Sequence, residues 1–179
     1  MKNLVVVAHP DDEVLGFGGT GSYLSQRGEE VIPIILSGNV NERNMRPELN
    51  DLTKDINEAS KLLGFEKPVL GNFPNIRMNT VPHIEIVKFI EEQIKIYQPD
   101  RIFTHHPGDL NNDHNQVSKG CMAAARLFQR IEGIERLKGL YFMEILSSTE
   151  WSFELGANSF SPNYFIDISN SISFCLLYT

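Results

Sequence analysis

The sequence predicts an α/β fold, a Rossmann-like three-layer sandwich with a mainly parallel sheet. Two observations lead to this prediction: short apolar runs without alternation, and amphipathic stretches between them. Unalternating runs are typical of strands covered on both faces, as in parallel sheets. Strand and helix in repetition are typical of right-handed crossovers. The 179 residues contain no repeat and no Pro/Ser-rich linker, so we expect one domain over 1–179.

The elements follow from these patterns. Strands are expected at 4–8, 31–36, 68–70 and 101–104. Helices are expected at 52–63, 84–97 and 116–131. Gly64 and Pro99 are placed to stop the first two helices. The later part is less regular: 139–145 is expected to be a strand, and 164–168 a further strand or a sheet edge.

Composition excludes several classes of protein. Sixteen Lys and Arg face 23 Asp and Glu, a formal net charge of −7, and no basic cluster is present to neutralise nucleic-acid or lipid phosphates. The apolar run 4–8 is too short for a signal-peptide core or a membrane span. Cys121 and Cys175 have no CxxC partner, which argues against a disulfide framework or a thiolate zinc site. We therefore expect a cytoplasmic protein.

A chemically rich segment follows the first strand: His9-Pro10-Asp11-Asp12-Glu13. Ligands of open α/β sheets sit beyond the carboxyl ends of the strands, which is where this segment lies. An imidazole and a carboxylate three positions apart, on a turn restricted by proline, can converge on one cation such as zinc. The ordinary alternative is that the acids cap a helix N-terminus, but His9 adds nothing to a cap.

A second such segment follows the fourth strand, where histidines and aspartates again share a turn-rich loop. His9, Asp12 and His114 together would give three protein ligands and leave a fourth position for water, the pattern of a catalytic zinc site. Asp109 and Asp113 are suited to orient a ligand imidazole or to pin the loop. The alternatives are that Asp113 caps the next helix and that the loop histidines face solvent.

The run AHPDDE at 8–13, followed by HPGDLNNDH at 106–114, resembles the LmbE/PIG-L family of zinc-dependent N-acetylglucosamine deacetylases. The resemblance extends over nearly the whole chain. It implies a Rossmann-like fold, a zinc cofactor (another divalent metal being the alternative), and hydrolysis of the N-acetyl group of a small amino-sugar conjugate with release of acetate. It also implies that His9, Asp12 and His114 are zinc ligands and that Asp11 is the general base.

The chain departs from this family at several positions. Some relatives carry a histidine three positions before the last ligand, where this chain has Asn111, which donates a hydrogen bond but no proton at neutral pH. His105 and His106 are the candidate substitutes. Arg77 is either a compensating contact for a sugar hydroxyl or phosphate or an ordinary surface residue. Trp151 would stack on a sugar or pack, and packing is favoured. The stretch 169–179 is expected to be shortened relative to the family.

Two alternative functions stay open. One is a catalytically impaired sugar-binding or regulatory member of the fold. The other is a non-haem Fe(II) enzyme, because two histidines and one carboxylate also describe its ligand set. Neither a nucleic-acid partner nor a membrane span is expected, and a homo-oligomer is compatible with the sequence.

Overall fold

The computed structural model of the protein describes residues 1–40, 47–146, 148–152 and 159–176. A five-stranded sheet lies at its centre with the order β3-β2-β1-β4-β5, and every neighbouring pair is parallel. The strands are β1 Lys2–Val7, β2 Glu30–Ile35, β3 Val69–Leu70, β4 Arg101–His105 and β5 Gly139–Met143. The predicted α/β fold with a parallel sheet is confirmed.

The helices are α1 Asp12–Leu15, α2 Gly18–Gln26, α3 Leu49–Leu63, α4 His83–Tyr97, α5 Asn112–Ala124 and α6 Ile172–Leu176. Gly64 ends α3 in the left-handed conformation, with φ 75°, which a residue with a side chain rarely adopts. Helix α5 begins four residues before the expected start. The reason is a local cap: the side chain of Asn111 accepts a hydrogen bond from the Asp113 N–H, so the polar residues ahead of the apolar stripe are helical.

The helices cover both faces of the sheet. Leu4 and Val6 of β1 pack against α4 and α5, whereas Val5 and Val7 point to the opposite face and pack against α2 and α3. Successive side chains of one strand therefore enter two separate cores. This arrangement explains why the run at the start of the chain is apolar without alternation.

The segment 164–168 was expected to be a further strand or a sheet edge, and that prediction is wrong: it contains no strand and is not part of the sheet. It lies beside β5 without pairing to it, and a cavity of about 340 Å³ is lined by Tyr141 and Phe142 from the strand and by Phe160 and Tyr164 from the segment. The ring of Tyr164 contacts that of Tyr141, with 5.1 Å between centroids, but the segment forms no backbone ladder with β5. Of the stretch 169–179, residues 177–179 lie outside the described residues. Ser171 Oγ in this stretch donates to the Gly19 carbonyl at 2.8 Å, which holds the stretch against α2.

The strand register brings three loops to one edge of the sheet. Val7 is paired with Ile35, and His105 with Met143, so β1, β2, β4 and β5 end at similar heights. The segments that follow β1, β4 and β5 leave the sheet side by side. Within the described part of the chain, no helix is both long and apolar enough to cross a membrane. The cytoplasmic location stays a prediction.

Candidate metal centre

The turn after β1 is closed by its own side chains. The Asp12 carboxylate accepts a hydrogen bond from the His9 backbone N–H at 2.9 Å, and the Asp12 N–H donates back to the His9 carbonyl at 3.4 Å. Both residues are buried, with 2% and 3% exposure. The same turn leaves Asp11 exposed. One short segment therefore presents a buried imidazole, a buried carboxylate and an accessible carboxylate.

Helix α5 supplies the third candidate ligand. Its Asn111 cap places Asp113 and His114 in the first helical turn, facing the segment that follows β1. His114 Nε2 lies 3.3 Å from Asp12 Oδ2, and His9 Nδ1 lies 3.4 Å from the same oxygen. Tetrahedral ligands held about 2.0–2.1 Å from a zinc ion lie about 3.3–3.4 Å from one another. The spacing of these three side chains therefore fits one ion.

The hydrogen bonds of the two imidazoles support the same fit. His9 Nε2 lies 2.9 Å from Asp113 Oδ2, and His114 Nδ1 lies 3.1 Å from Asp109 Oδ2. Ionised carboxylates only accept, so these nitrogens carry protons, and in the neutral imidazole the opposite nitrogens have the lone pairs that a metal binds. His114 Nε2 is buried without a hydrogen-bond partner. Imidazoles that donate to a carboxylate with one nitrogen and present the other are typical metal ligands.

Electrostatics around Asp12 favour a cation. Burial would raise the pKa of Asp12, but the imidazoles of His105 and His114 outweigh burial and hold that pKa well below its usual range. Burial would likewise lower the pKa of His114, but Asp12 and Asp109 raise it to about 9. The pKa of His9 is also raised, because hydrogen bonds with Asp113 and Asp12 outweigh its burial. In the metal-free protein, imidazolium protons thus supply the positive charge that a metal would bring.

Two further histidines lie at the end of β4 and directly after it, and their surroundings differ. His105 is fully buried, its ring stacks on that of His114 with 3.8 Å between centroids, and its Nε2 accepts the Ala8 N–H at 2.9 Å. Burial lowers the pKa of His105 to about 3, so it is a neutral platform under His114. His106 packs edge-on against Phe142 and Phe160, outside the group of ligand atoms. The structure does not bring His106 to this group.

His105 also belongs to a second group of potential ligand atoms, with Asp109 and His114. Its Nε2 already accepts the Ala8 N–H, and its ring lies parallel to that of His114, so the in-plane lone pairs of these two imidazoles do not converge on one ion. Asp109 Oδ2 accepts hydrogen bonds from Ser148 Oγ at 2.9 Å and from Thr149 Oγ1 at 2.8 Å. The group of His9, Asp12 and His114 is therefore the better candidate. Sequence reasoning missed Ser148 and Thr149, since nothing in their local sequence points to the β4 loop.

Asp113 holds a further loop against the site. Its Oδ2 accepts the Ile76 N–H at 2.6 Å and its Oδ1 accepts the Met78 N–H at 3.0 Å. The neighbouring Asn75 is 1% exposed, and neither its Oδ1 nor its Nδ2 has a hydrogen-bond partner. Arg77 of the same loop is exposed. Asn75 was also missed by sequence reasoning, because an asparagine after proline is typical of an ordinary turn.

Trp151, for which packing was favoured, is 58% exposed, so it is not a core residue. Asn111 has its side-chain oxygen engaged by the Asp113 N–H at 2.9 Å. This contact assigns Asn111 to the helix cap, in the position where some relatives are expected to carry a histidine. The side-chain oxygen is thereby fixed, and the amide nitrogen remains the group of Asn111 that can donate.

The protein has an α/β fold with a parallel sheet. Buried His and Asp side chains at the carboxyl ends of its strands form a candidate metal centre. The PIG-L family model, described as GlcNAc-PI de-N-acetylase, matches residues 4–125. The match covers most of the chain and includes all three candidate ligands. The chain belongs to the PIG-L family of deacetylases.

One curated protein and two solved structures are similar to this chain. An Escherichia coli (strain K12) protein named uncharacterized deacetylase YaiS is 28% identical over 138 residues, 74% of this chain and 72% of that protein. N,N'-diacetylchitobiose deacetylase from Pyrococcus horikoshii superposes with a TM-score of 0.78 at 21% identity, covering 99% of this chain and 67% of that chain. GalB, the 4-carboxy-2-hydroxymuconate hydratase from Pseudomonas putida KT2440, superposes with a TM-score of 0.79 at 19% identity, covering 99% and 77%. These two superpositions show the fold.

Proposed function

We propose that the protein is a zinc-dependent hydrolase that removes the N-acetyl group from an N-acetylglucosamine-type sugar conjugate and releases acetate. The observation that carries this proposal is the buried, unpartnered His114 Nε2, which lies with His9 Nδ1 around one oxygen of Asp12. Membership of a de-N-acetylase family supplies the reaction class. Another divalent ion of similar size and ligand preference is the alternative cofactor.

The residues have separable roles in this proposal. His9, Asp12 and His114 would hold the ion, and Asp113 and Asp109 would fix the protonated nitrogens of the two imidazoles. When bound, zinc lowers the pKa of water toward about 7 and polarises an amide carbonyl. Asp11 is the exposed carboxylate on the same turn. It would accept a proton from the attacking water and return it to the leaving amine nitrogen.

Substrate contacts are proposed at the loop held by Asp113. The Asn75 carboxamide is buried without partners, and a buried polar group in that state is costly unless a ligand or water completes its hydrogen bonds. One donor and one acceptor together suit a sugar hydroxyl or an acetamido group. Arg77, exposed on the same loop, would reach a hydroxyl or a phosphate of the conjugate.

The test is acetate release by the purified protein. The metal is first removed with a chelator, and zinc is then restored in a stoichiometric amount before a panel of N-acetylglucosamine conjugates is supplied. Asp11→Asn should keep one zinc ion per chain and lose about 10²–10⁴-fold in kcat, the usual contribution of a general acid or base. Asp51→Asn, an exposed aspartate in the first turn of α3, is the matched control.

Each outcome decides between the alternatives. Near-normal turnover by Asp11→Asn would remove that residue from the role of base. Stoichiometric zinc and sugar binding without acetate release would make the chain a binding member of the family. Oxygen-dependent turnover with iron and none with zinc would indicate the non-haem iron enzyme. Because a hydratase shares this fold, the sugar panel is accompanied by an assay for hydration of an unsaturated acid.

A further inference from the structure

Three residues other than glycine have positive φ in the described part of the chain: Asp11 at 116°, Ile76 at 62° and Gln98 at 49°. Gln98, with φ 49° and ψ 60°, lies in the left-handed helical region, whereas Ile76 is β-branched, and a positive φ is a genuine outlier for such a residue. Asp11 lies outside that region, in a conformation that persists only when its surroundings impose it. The exposed carboxylate proposed as the base thus stands on a backbone conformation that requires support from its surroundings.

The three residues are held in different ways. Gln98 ends α4, and its N–H donates to the Ile94 carbonyl at 2.9 Å, an ordinary helix end. The Ile76 N–H donates instead to Asp113 Oδ2 at 2.6 Å, and the Asp11 N–H donates to Glu13 Oε2 at 3.1 Å. The N–H of each positive-φ residue beside the candidate metal centre therefore donates to a buried carboxyl group, whereas the N–H of the remote Gln98 donates to a backbone carbonyl.

Glu13 is placed to act through Asp11 and not on a substrate. It is 1% exposed in α1, and its oxygens are absent from both groups of potential metal ligands found among the described residues. Its side chain turns back over the start of the helix to reach the Asp11 N–H, two residues earlier. Neither a substrate nor solvent has access to it.

We propose that Glu13 is a positioning residue: its carboxylate fixes the Asp11 peptide at positive φ and so aims the Asp11 carboxylate over the candidate metal centre. This inference rests on the proposed function, because it assigns Glu13 a purpose in the proposed proton transfer. Without the acceptor, the Asp11 backbone would relax toward negative φ and its carboxylate would swing away. A displacement of about 1 Å in a catalytic group can cost about 100-fold in rate.

Two substitutions separate hydrogen-bond acceptance from the rest of the side chain. Glu13→Gln keeps an oxygen that accepts the Asp11 N–H, whereas Glu13→Leu fills a similar volume without an acceptor. We expect Glu13→Leu to lower kcat about 10–100-fold and to leave KM and zinc stoichiometry unchanged. Losses of this size are usual when a residue that orients a metal ligand by a hydrogen bond is replaced. Glu13→Gln should restore kcat to within about threefold of the wild type. Glu91→Ala, which removes a buried glutamate paired with Arg130, is the control.

A double variant and a crystal structure test whether Glu13 acts through Asp11. If Glu13 acts through Asp11, Asp11→Asn combined with Glu13→Leu should be no slower than Asp11→Asn alone. The crystal structure of Glu13→Leu should show Asp11 at negative φ; if that variant does not fold, Glu13→Ala takes its place. Full kcat in Glu13→Leu, multiplicative losses in the double variant, equal losses in the Gln and Leu variants, or an unchanged Asp11 φ would each overturn the inference. A zinc-loaded wild type that releases no acetate would instead refute the proposed function. The Asp11 φ in Glu13→Leu would still decide whether Glu13 positions Asp11.

Discussion

Buried polar clusters lie at both ends of the parallel sheet, and they differ in how well they are satisfied. At the amino ends of the strands, Arg101 donates to Asn3 Oδ1 at 2.7 Å and pairs with Glu29, while Asn3 Nδ2 donates to Glu29 Oε2 and to the Glu30 carbonyl, both at 3.0 Å. At the carboxyl ends, His114 Nε2, His105 Nδ1 and both amide atoms of Asn75 are buried without partners.

This difference in hydrogen bonding distinguishes polar side chains that stabilise the fold from polar side chains that are available to a ligand. Native proteins satisfy nearly all buried polar groups, because an unpaired one costs its full desolvation. The amino-end cluster obeys this rule with protein groups alone and ties β1 to β4. In the carboxyl-end cluster a cation would satisfy His114 and a ligand or water would satisfy Asn75, whereas protein groups alone satisfy neither. Substitutions at the two ends should therefore give different kinds of loss.

The largest effect is expected at His114. His114→Ala removes one of three candidate ligands, so zinc affinity should fall by more than about 100-fold, the upper cost of losing only a supporting residue. Acetate release should fall to background while the protein stays folded. Zinc content after dialysis against a weak chelator and circular dichroism measure the two. His83→Ala, on the exposed start of α4, should change neither. Full zinc retention by His114→Ala would contradict the assignment of the carboxyl-end cluster to metal binding.

At the other end, Arg101→Met should act on stability. It leaves the largely buried Glu29 carboxylate without its guanidinium, and breaking such a pair costs about 3 kcal/mol. For a chain of this size that corresponds to a fall in Tm of about 6–12 °C. Scanning calorimetry gives the shift, and zinc content and KM measured well below Tm should match the wild type. A variant with normal Tm but weakened zinc binding would reverse the roles of the two clusters.

Two asparagines give a smaller and more direct comparison. Asn75→Ala removes a buried carboxamide that has no protein partner, so stability should change by less than about 0.5 kcal/mol, while KM for the sugar should rise about tenfold, the equivalent of one hydrogen bond to substrate. Asn3→Ala removes a carboxamide bonded to Arg101, Glu29 and Glu30. It should cost about 1–3 kcal/mol and leave KM unchanged. Equal effects of the two on stability would contradict the distinction.

The sequence predicted the parts of this site that short runs encode. The position of His9 and Asp12 after one buried strand, and of His114 after another, places them at one edge of any parallel sheet in which those strands are neighbours. The helix stop at Gly64 and the covered strands are equally local. The ligand roles of these side chains stay a prediction, although the structure brings the three together.

Other features depend on contacts between distant segments. Asn75 is buried because Asp113, 38 positions later, binds the backbone on either side of Arg77, and Ser148 meets Asp109 across the loops after β4 and β5. No composition or spacing encodes such closures. Residues 164–168 have strand composition, yet they meet β5 through side chains, with Tyr164 against Tyr141, and not through a backbone ladder. Glu13 resembles a helix-start acid in the sequence and bonds the preceding turn in the structure.

The smallest expected effect is the release of protons when zinc binds. Asp12 and Asp109 raise the pKa of His114 to about 9 despite its burial, so at pH 7 the metal-free protein holds a proton there. Zinc binds only the neutral imidazole, so binding at pH 7 should release about one proton from His114, and His9, whose pKa is also raised, adds to it.

Calorimetric titration of zinc in buffers of different ionisation enthalpy measures this release. The released number should fall as the pH rises through about 9, because above its pKa His114 is already neutral and nothing is displaced. His83→Gln, an exposed histidine remote from the ligand group, should leave the count unchanged. A heat at pH 7 that is the same in every buffer would mean that no imidazolium stands in for the metal. The unpartnered His114 Nε2 would then need another explanation, and the contrast between the two ends of the sheet would lose its strongest member.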